Sequence, residues 1–184
     1  TQLTRYGLAR RMIIEFFSST ADRVFSVSHA LLKTNHTFSL FWKTSRDRIR
    51  VIYNGVDFEN IKSRRNYNTG EIIRLCYTGE IKHVKNVCDI ITAHSILKKT
   101  KPNIQIKTHI VGDGPDRKKV EALILQHGLS DQIQITGMIP RLDVFLFLKK
   151  SDIFILPSSV EGLSESLAQA MASALPVVVS DIEP

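Results

Sequence analysis

Residues 153–179 read Ile153-Phe154-Ile155-Leu156, then Pro157-Ser158-Ser159-Val160-Glu161-Gly162, then Leu163-Ser164-Glu165-Ser166-Leu167-Ala168-Gln169-Ala170-Met171-Ala172-Ser173-Ala174, and, after two residues, Val177-Val178-Val179. An apolar run, a loop with a carboxylate and a glycine, a stretch of helical period and a second β-branched run spell strand, loop, helix, strand. Two short strands joined by a helix form a βαβ unit and run parallel. Wound from Leu163 at about 100° per residue, Leu163, Leu167, Ala170, Met171 and Ala174 share one stripe, which is expected to be core. Ser166, Gln169 and Ser173 form a polar stripe beside it. Glu161 stands between a strand end and a helix start, the edge of an open parallel sheet where ligands bind. Free N–H groups and the helix dipole there favour a phosphate. Glu161 and Gln169 lie about two turns apart and can both face one crevice. Without a ligand, the same spacing describes a capped amphipathic helix.

The alternation continues upstream. Ile72 to Tyr77 reads as a strand, and Asn86 to Lys99 as a helix with Val87, Ile90, Ile91, His94 and Leu97 on one face. Ile104 to Val111 is a strand and Gly112-Asp113-Gly114 a turn. Pro115 suits the first turn of a helix that runs to about His127 and is closed by Gly128. Ile133 to Thr136 is a strand and Leu142 to Lys149 a helix. The repeated pattern predicts an α/β fold with a parallel sheet. Residues 1–53 give a shorter version: a basic amphipathic helix, a strand at Val24 to Val27, a helix from about His29 and a strand at Ile49 to Tyr53, before the turn signal Asn54-Gly55. The apolar-poor stretch Glu59 to Gly70 reads as a linker. His94 and His109 are expected to be core histidines.

The chain has 184 residues, 43% of them hydrophobic and 23% charged, which excludes disordered and fibrous classes. No apolar run approaches the ~18 residues of a membrane span. Two cysteines, Cys76 and Cys88, are too few for a disulfide scaffold or a structural zinc site, and fit a reducing, intracellular compartment. The net charge of +7 is lopsided. Residues 1–66 carry 12 Lys and Arg against 5 Asp and Glu, while residues 67–184 carry 13 of each. Arg5, Arg10, Arg11, Arg46, Arg48, Arg50, Lys62, Arg64 and Arg65 make up most of the excess. Such a patch suits an anionic membrane surface or polymer. Nucleic acid is not expected, because few aromatics interleave with the charges and no DNA- or RNA-binding signature appears.

The ordered set of motifs resembles family 4 (group 1) retaining glycosyltransferases of GT-B fold. In that family a glutamate at the donor site is followed eight positions later by a second one, here Glu161 and Gln169. Asp22 to Ser28 looks like the last strand of the acceptor lobe, and Val51 to Asp57 like the entry to the hinge. Thr78-Gly79, with Lys85 six residues past the glycine, looks like the phosphate loop. Val111-Gly112-Asp113-Gly114-Pro115 and Gly137-Met138-Ile139 resemble later turns. The resemblance implies two Rossmann-like lobes: 1–56 as the end of the acceptor-binding lobe, 57–70 as the interlobe linker and 71–184 as an incomplete donor-binding lobe. It also implies that the chain is a fragment, inactive alone, lacking most of the N-terminal lobe and the C-terminal end.

The resemblance further assigns roles. Lys85 contacts the donor diphosphate near Gly79. The backbone of Gly162 and Leu163 receives phosphate or sugar oxygens. Glu161, the catalytic candidate, binds hydroxyls of the transferred sugar. Position 169 holds the ribose, and Met138 and Ile139 lie near the base. No metal or other cofactor is expected, since the chain lacks Asp-x-Asp and clustered ligands. Two departures stand out. Gln169 keeps an acceptor oxygen without the charge, a loss of about 1 kcal/mol on a hydrogen bond. Glu80 replaces the usual arginine, and a carboxylate ~4 Å from a phosphate is unfavourable by about 4 kcal/mol at an effective dielectric of 20. Either Glu80 points away, for instance by pairing with Lys82, or diphosphate binding is impaired. The implied function is sugar transfer from a nucleotide-sugar to a glycan or lipid-linked acceptor in polysaccharide biosynthesis, with retention, by a cytoplasmic protein peripheral to the inner membrane face. The alternatives are a non-catalytic GT-B homologue serving as a binding or scaffolding subunit, and a GT-B nucleotide-sugar epimerase.

Overall fold

The computed structural model describes residues 16–17, 20–28, 46–56 and 72–182. The chain divides into two compact units, Thr1–Gly55 (with Pro184) and Val56–Glu183.

In the first unit, β1 (Val24–Ser26) pairs in parallel with β2 (Ile49–Val51), with Phe25 opposite Arg50. Both strands are shorter than their sequence runs. The last bond of the pair runs from Ile52 N to Ser26 O at 2.9 Å, and residues 53–56 then continue as irregular, mostly exposed chain, so Asn54-Gly55 is not a tight turn. Guanidinium groups in this unit donate to carbonyl oxygens: Arg23 to Asp47 at 3.2 Å and Arg48 to Ala21 at 3.1 Å. The sequence-predicted helix from His29, the linker 57–70 and most of the basic N-terminal helix lie outside the described residues.

The second unit is a five-stranded parallel sheet, ordered β5-β4-β3-β6-β7. Its elements are β3 (Ile72–Thr78), α1 (Val87–Thr100), β4 (Gln105–Val111), α2 (Arg117–Gln126), β5 (Ile133–Gly137), α3 (Arg141–Lys150), β6 (Ile153–Leu156), α4 (Glu165–Ala172) and β7 (Val177–Val179). β3 is central and buried from Leu75 to Thr78, as expected of a strand covered on both faces. Tyr77, Ile91, Ile110, Leu129, Leu148 and Phe154 are fully buried around it. His94 is a core histidine bonded to Thr108 Oγ1 at 2.6 Å. His109 is half-buried and sits edge-on to Phe147.

The strand order reverses between β3 and β6. There, Asp152 fixes the pairing: its buried carboxylate accepts from Arg74 N at 2.8 Å, and its own N–H donates to Arg74 O at 2.7 Å. A crevice at the carboxyl ends of strands opens at such a reversal. The turn after β4 lies against the turn after β3, with Gly79 N donating to Val111 O and Ile81 N to Asp113 O. A Cβ on Gly112 (φ +146°) would fall on the carbonyl oxygen of Gly79, and one on Gly114 on the backbone of Ile81. The Gly112-x-Gly114 pair is therefore a device for close approach of two backbones.

Two expectations for the last helix are corrected. It begins at Glu165, so Leu163 lies in the preceding loop. Ser164 stops the helix from starting earlier, because its extended backbone lets its hydroxyl accept from Leu167 N at 3.2 Å as an N-cap. The buried side also differs. Met171 is 61% exposed, whereas Gln169, Ala170 and Ser173 are buried. The inward face is turned by about one residue, roughly 100°, toward the polar stripe. Ser166 and Gln169 of the polar stripe line the cleft, and small, buried Ala170 and Ser173 lie on the face of a helix that packs on β6 and β7.

Candidate functional site

Glu161 follows β6 in a loop that folds back over the His83–Lys85 turn. Ser159 N donates to Val84 O at 2.8 Å, tying the two segments together. Asn86, in the left-handed region at φ 48°, turns the chain from that short 3-10 segment into α1. Lys85 Nζ then lies 2.5 Å from Glu161 Oε1, and the Ser158 hydroxyl donates to the same oxygen at 2.8 Å. Both charged side chains are about four-fifths buried. The pair thus joins the loop after β3 to the loop after β6, across the strand-order reversal.

These residues line a cleft of about 770 Å³ at the carboxyl end of the sheet. Of the sequence-predicted residues, Gly79, Lys85, Met138, Ile139, Glu161, Leu163 and Gln169 line it together. Gly162 does not; it is exposed, outside the lining. Met138 is 85% exposed at the rim and Ile139 half-buried beside it. His83 is exposed and also lies outside the lining.

Glu80 lines the cleft, but its Oε2 is 2.5 Å from Lys82 Nζ. The turn holding Glu80 rests on Tyr77, whose hydroxyl donates to Glu80 O at 2.9 Å. Burial, then the nearby Glu161 and Glu80 carboxylates, push the Tyr77 phenol well above its usual range, so it stays a neutral donor. Asp113 also lines the cleft, in the turn that lies against the Glu80 turn. Its Oδ1 accepts from Gly114 N at 2.8 Å and its Oδ2 from Arg117 at 2.7 Å; those two bonds hold its carboxyl below the usual range.

Sequence reasoning assigned no binding role to several lining residues, among them Glu165, Ser166, Thr78 and Arg141. Glu165, in the first turn of α4, accepts from Gln169 Nε2 at 3.1 Å and pairs with Arg141. Ser166 bonds to Ser164, hydroxyl to hydroxyl, at 3.0 Å. Thr78 is buried at the end of β3, its Oγ1 without a hydrogen-bond partner. Helical spacing alone would have put Glu165 beside Gln169. No local signal brings Arg141 from the start of α3.

The crevice at the strand-order reversal and the parallel sheet define a Rossmann-like lobe of the GT-B class. Residues 57–184 match the family described as glycosyl transferases group 1, and the chain belongs to it. It is 26% identical over 180 residues to an uncharacterised glycosyltransferase of Methanocaldococcus jannaschii, covering 98% of this chain and 46% of that protein. It is 30% identical over 176 residues to the capsular polysaccharide biosynthesis glycosyltransferase CapH of Staphylococcus aureus, covering 94% and 46%. Among solved structures, Anabaena HepE in complex with UDP and glucose superposes with a TM-score of 0.74 at 19% identity, covering 94% of this chain and 48% of that one. The chain thus spans about half the length of these curated relatives. Among the described residues, no helix is long and apolar enough to cross a membrane.

Proposed function

We propose that residues 71–184 are the donor-binding lobe of a glycosyltransferase that moves a sugar from a nucleoside diphosphate to a hydroxyl of a glycan or lipid-linked acceptor. Residues 1–56 are then the end of the acceptor lobe, with 57–70 the linker between them. The reading rests on one observation: a single cleft gathers Gly79, Lys85, Glu161 and Gln169 at the strand-order reversal of a parallel sheet. Family membership and relatives named as glycosyltransferases support it.

In the reaction, the bond from the anomeric carbon to the diphosphate breaks and a bond to the acceptor oxygen forms on the same face of the sugar. The nucleoside diphosphate leaves with the bonding electrons, and its departing oxygen takes the proton of the acceptor hydroxyl. Lys85 balances that charge, helped by the backbone N–H of Leu163. When the donor arrives, Lys85 turns from Glu161 to the diphosphate, and Glu161 accepts hydrogen bonds from the transferred sugar. Met138 and Ile139 flank the base, and position 169 the ribose. Lys85 and the peptide dipoles supply the positive charge, so no metal is required. The basic first 66 residues lie against anionic lipid; vesicle co-sedimentation that ignores lipid charge would rule that out.

The test is a thermal-shift titration in EDTA with UDP, GDP and ADP. A nucleotide at 100 times its dissociation constant stabilises by ~2.7 kcal/mol, about 5–10 °C for a chain of this size. One of the three is expected to give such a shift, and Lys85→Ala to abolish it. No shift with any of them would refute the donor-site reading.

A further inference from the structure

Every charged side chain named around the cleft is partnered, and one partnership alters the reading of position 169. Gln169 is only 6% exposed and sits in the cleft wall. Its Nε2 donates to Glu165 Oε1, one helical turn earlier, at 3.1 Å. A carboxylate only accepts, so the amide nitrogen must face Glu165 and the amide oxygen must face the other way. Glu165 is in turn held by Arg141, from the start of α3 just past Met138 and Ile139. Glu165 itself lines the cleft, and its position in the first turn of α4 favours a negative charge.

The geometry points to Glu165 as a donor-binding residue: it supplies the carboxylate that position 169 lacks, so that Glu165 and the oriented amide oxygen of Gln169 together receive the vicinal hydroxyls of the donor's ribose. The inference rests on the donor-site reading above. A charged acceptor one turn earlier replaces a charged acceptor at 169. Arg141 orders that carboxylate and ties it to the loop at Met138. Restoring glutamate at 169 is then harmful, because it sets a second carboxylate where Gln169 Nε2 now donates, about 3 Å from Glu165.

The experiment measures binding of UDP, GDP and ADP to this chain by calorimetry, then of the 2′,3′-dideoxy counterpart of whichever binds. The wild type is expected to prefer the ribose form at least tenfold. Glu165→Gln should keep the wild-type melting temperature to within a few degrees and reduce that preference below threefold. Gln169→Glu should weaken binding at least tenfold, and the double variant Glu165→Gln/Gln169→Glu should regain most of it. If Gln169→Glu does not fold, Glu165→Gln and the double variant still decide. A tighter Gln169→Glu, or an unchanged ribose preference in Glu165→Gln, would overturn the inference while leaving the donor site standing. No binding of any nucleotide by the wild type would remove the donor reading and this inference with it.

Discussion

Lys85→Met cuts the ion pair that bridges the loops after β3 and β6. At an effective dielectric of 20, unit charges ~4 Å apart attract by about 4 kcal/mol. Removing one partner of a fully buried pair costs about 3–5 kcal/mol, whereas exposed pairs are worth about 0–1. Lys85 and Glu161 are 19% and 17% exposed, which puts Lys85→Met between these limits, at about 2 kcal/mol. Glu161 would be left with the Ser158 hydroxyl as its remaining partner. Glu161→Gln should cost less, about 1 kcal/mol, because Ser158 can still donate to the amide oxygen. The double variant should be no less stable than Lys85→Met alone, because it leaves no unpaired charge. Urea denaturation of the four proteins gives the coupling energy, expected at about 1–2 kcal/mol. Additive losses within about 0.3–0.5 kcal/mol would mean the contact holds nothing together.

Three further outcomes follow from the geometry. Gly112→Ala puts a Cβ on the Gly79 carbonyl oxygen at a positive φ, and should destabilise by about 3 kcal/mol or more, read from the denaturation midpoint. Tyr77→Phe removes the donor to Glu80 O; stability should fall by about 1–3 kcal/mol, and a smaller loss would show that the hydroxyl does not hold the turn. His94 and His109 have pKa values lowered in the fold, chiefly by burial and for His109 also by Lys150 and Lys107. The unfolded chain therefore binds their protons first. Stability is fully present above the unfolded pKa, near 6.5, and is lost as pH falls through it. The urea midpoint should drop between pH 7.5 and 5.5, and drop less in His94→Gln; an equal drop in both would refute the assignment to His94.

Most of the second unit was legible from its sequence, because uninterrupted strands such as Ile153 to Leu156 and the 3.6-residue stripe of α1 announce themselves locally. The departures Glu80 and Gln169 were visible there as well. Their meaning was not. The Glu80–Lys82 pair was within reach, being two residues apart, but the Gln169–Glu165–Arg141 chain needs a contact between α3 and α4. The missed phase of α4 has the same origin, since a helical wheel shows which residues share a face but not which face meets the protein.

Local periodicity and turn residues determined the α/β class and the order of elements, because these depend on neighbours along the chain; the resemblance of the ordered motifs to a known family singled out Glu161 and Lys85. Tertiary structure alone decided that β6 lies beside β3, that Lys85 meets Glu161 across 76 positions, and that buried Gln169 turns its amide nitrogen to Glu165. Those are long-range contacts, set by packing around β3 and by Asp152 on the Arg74 backbone, and no local pattern encodes them.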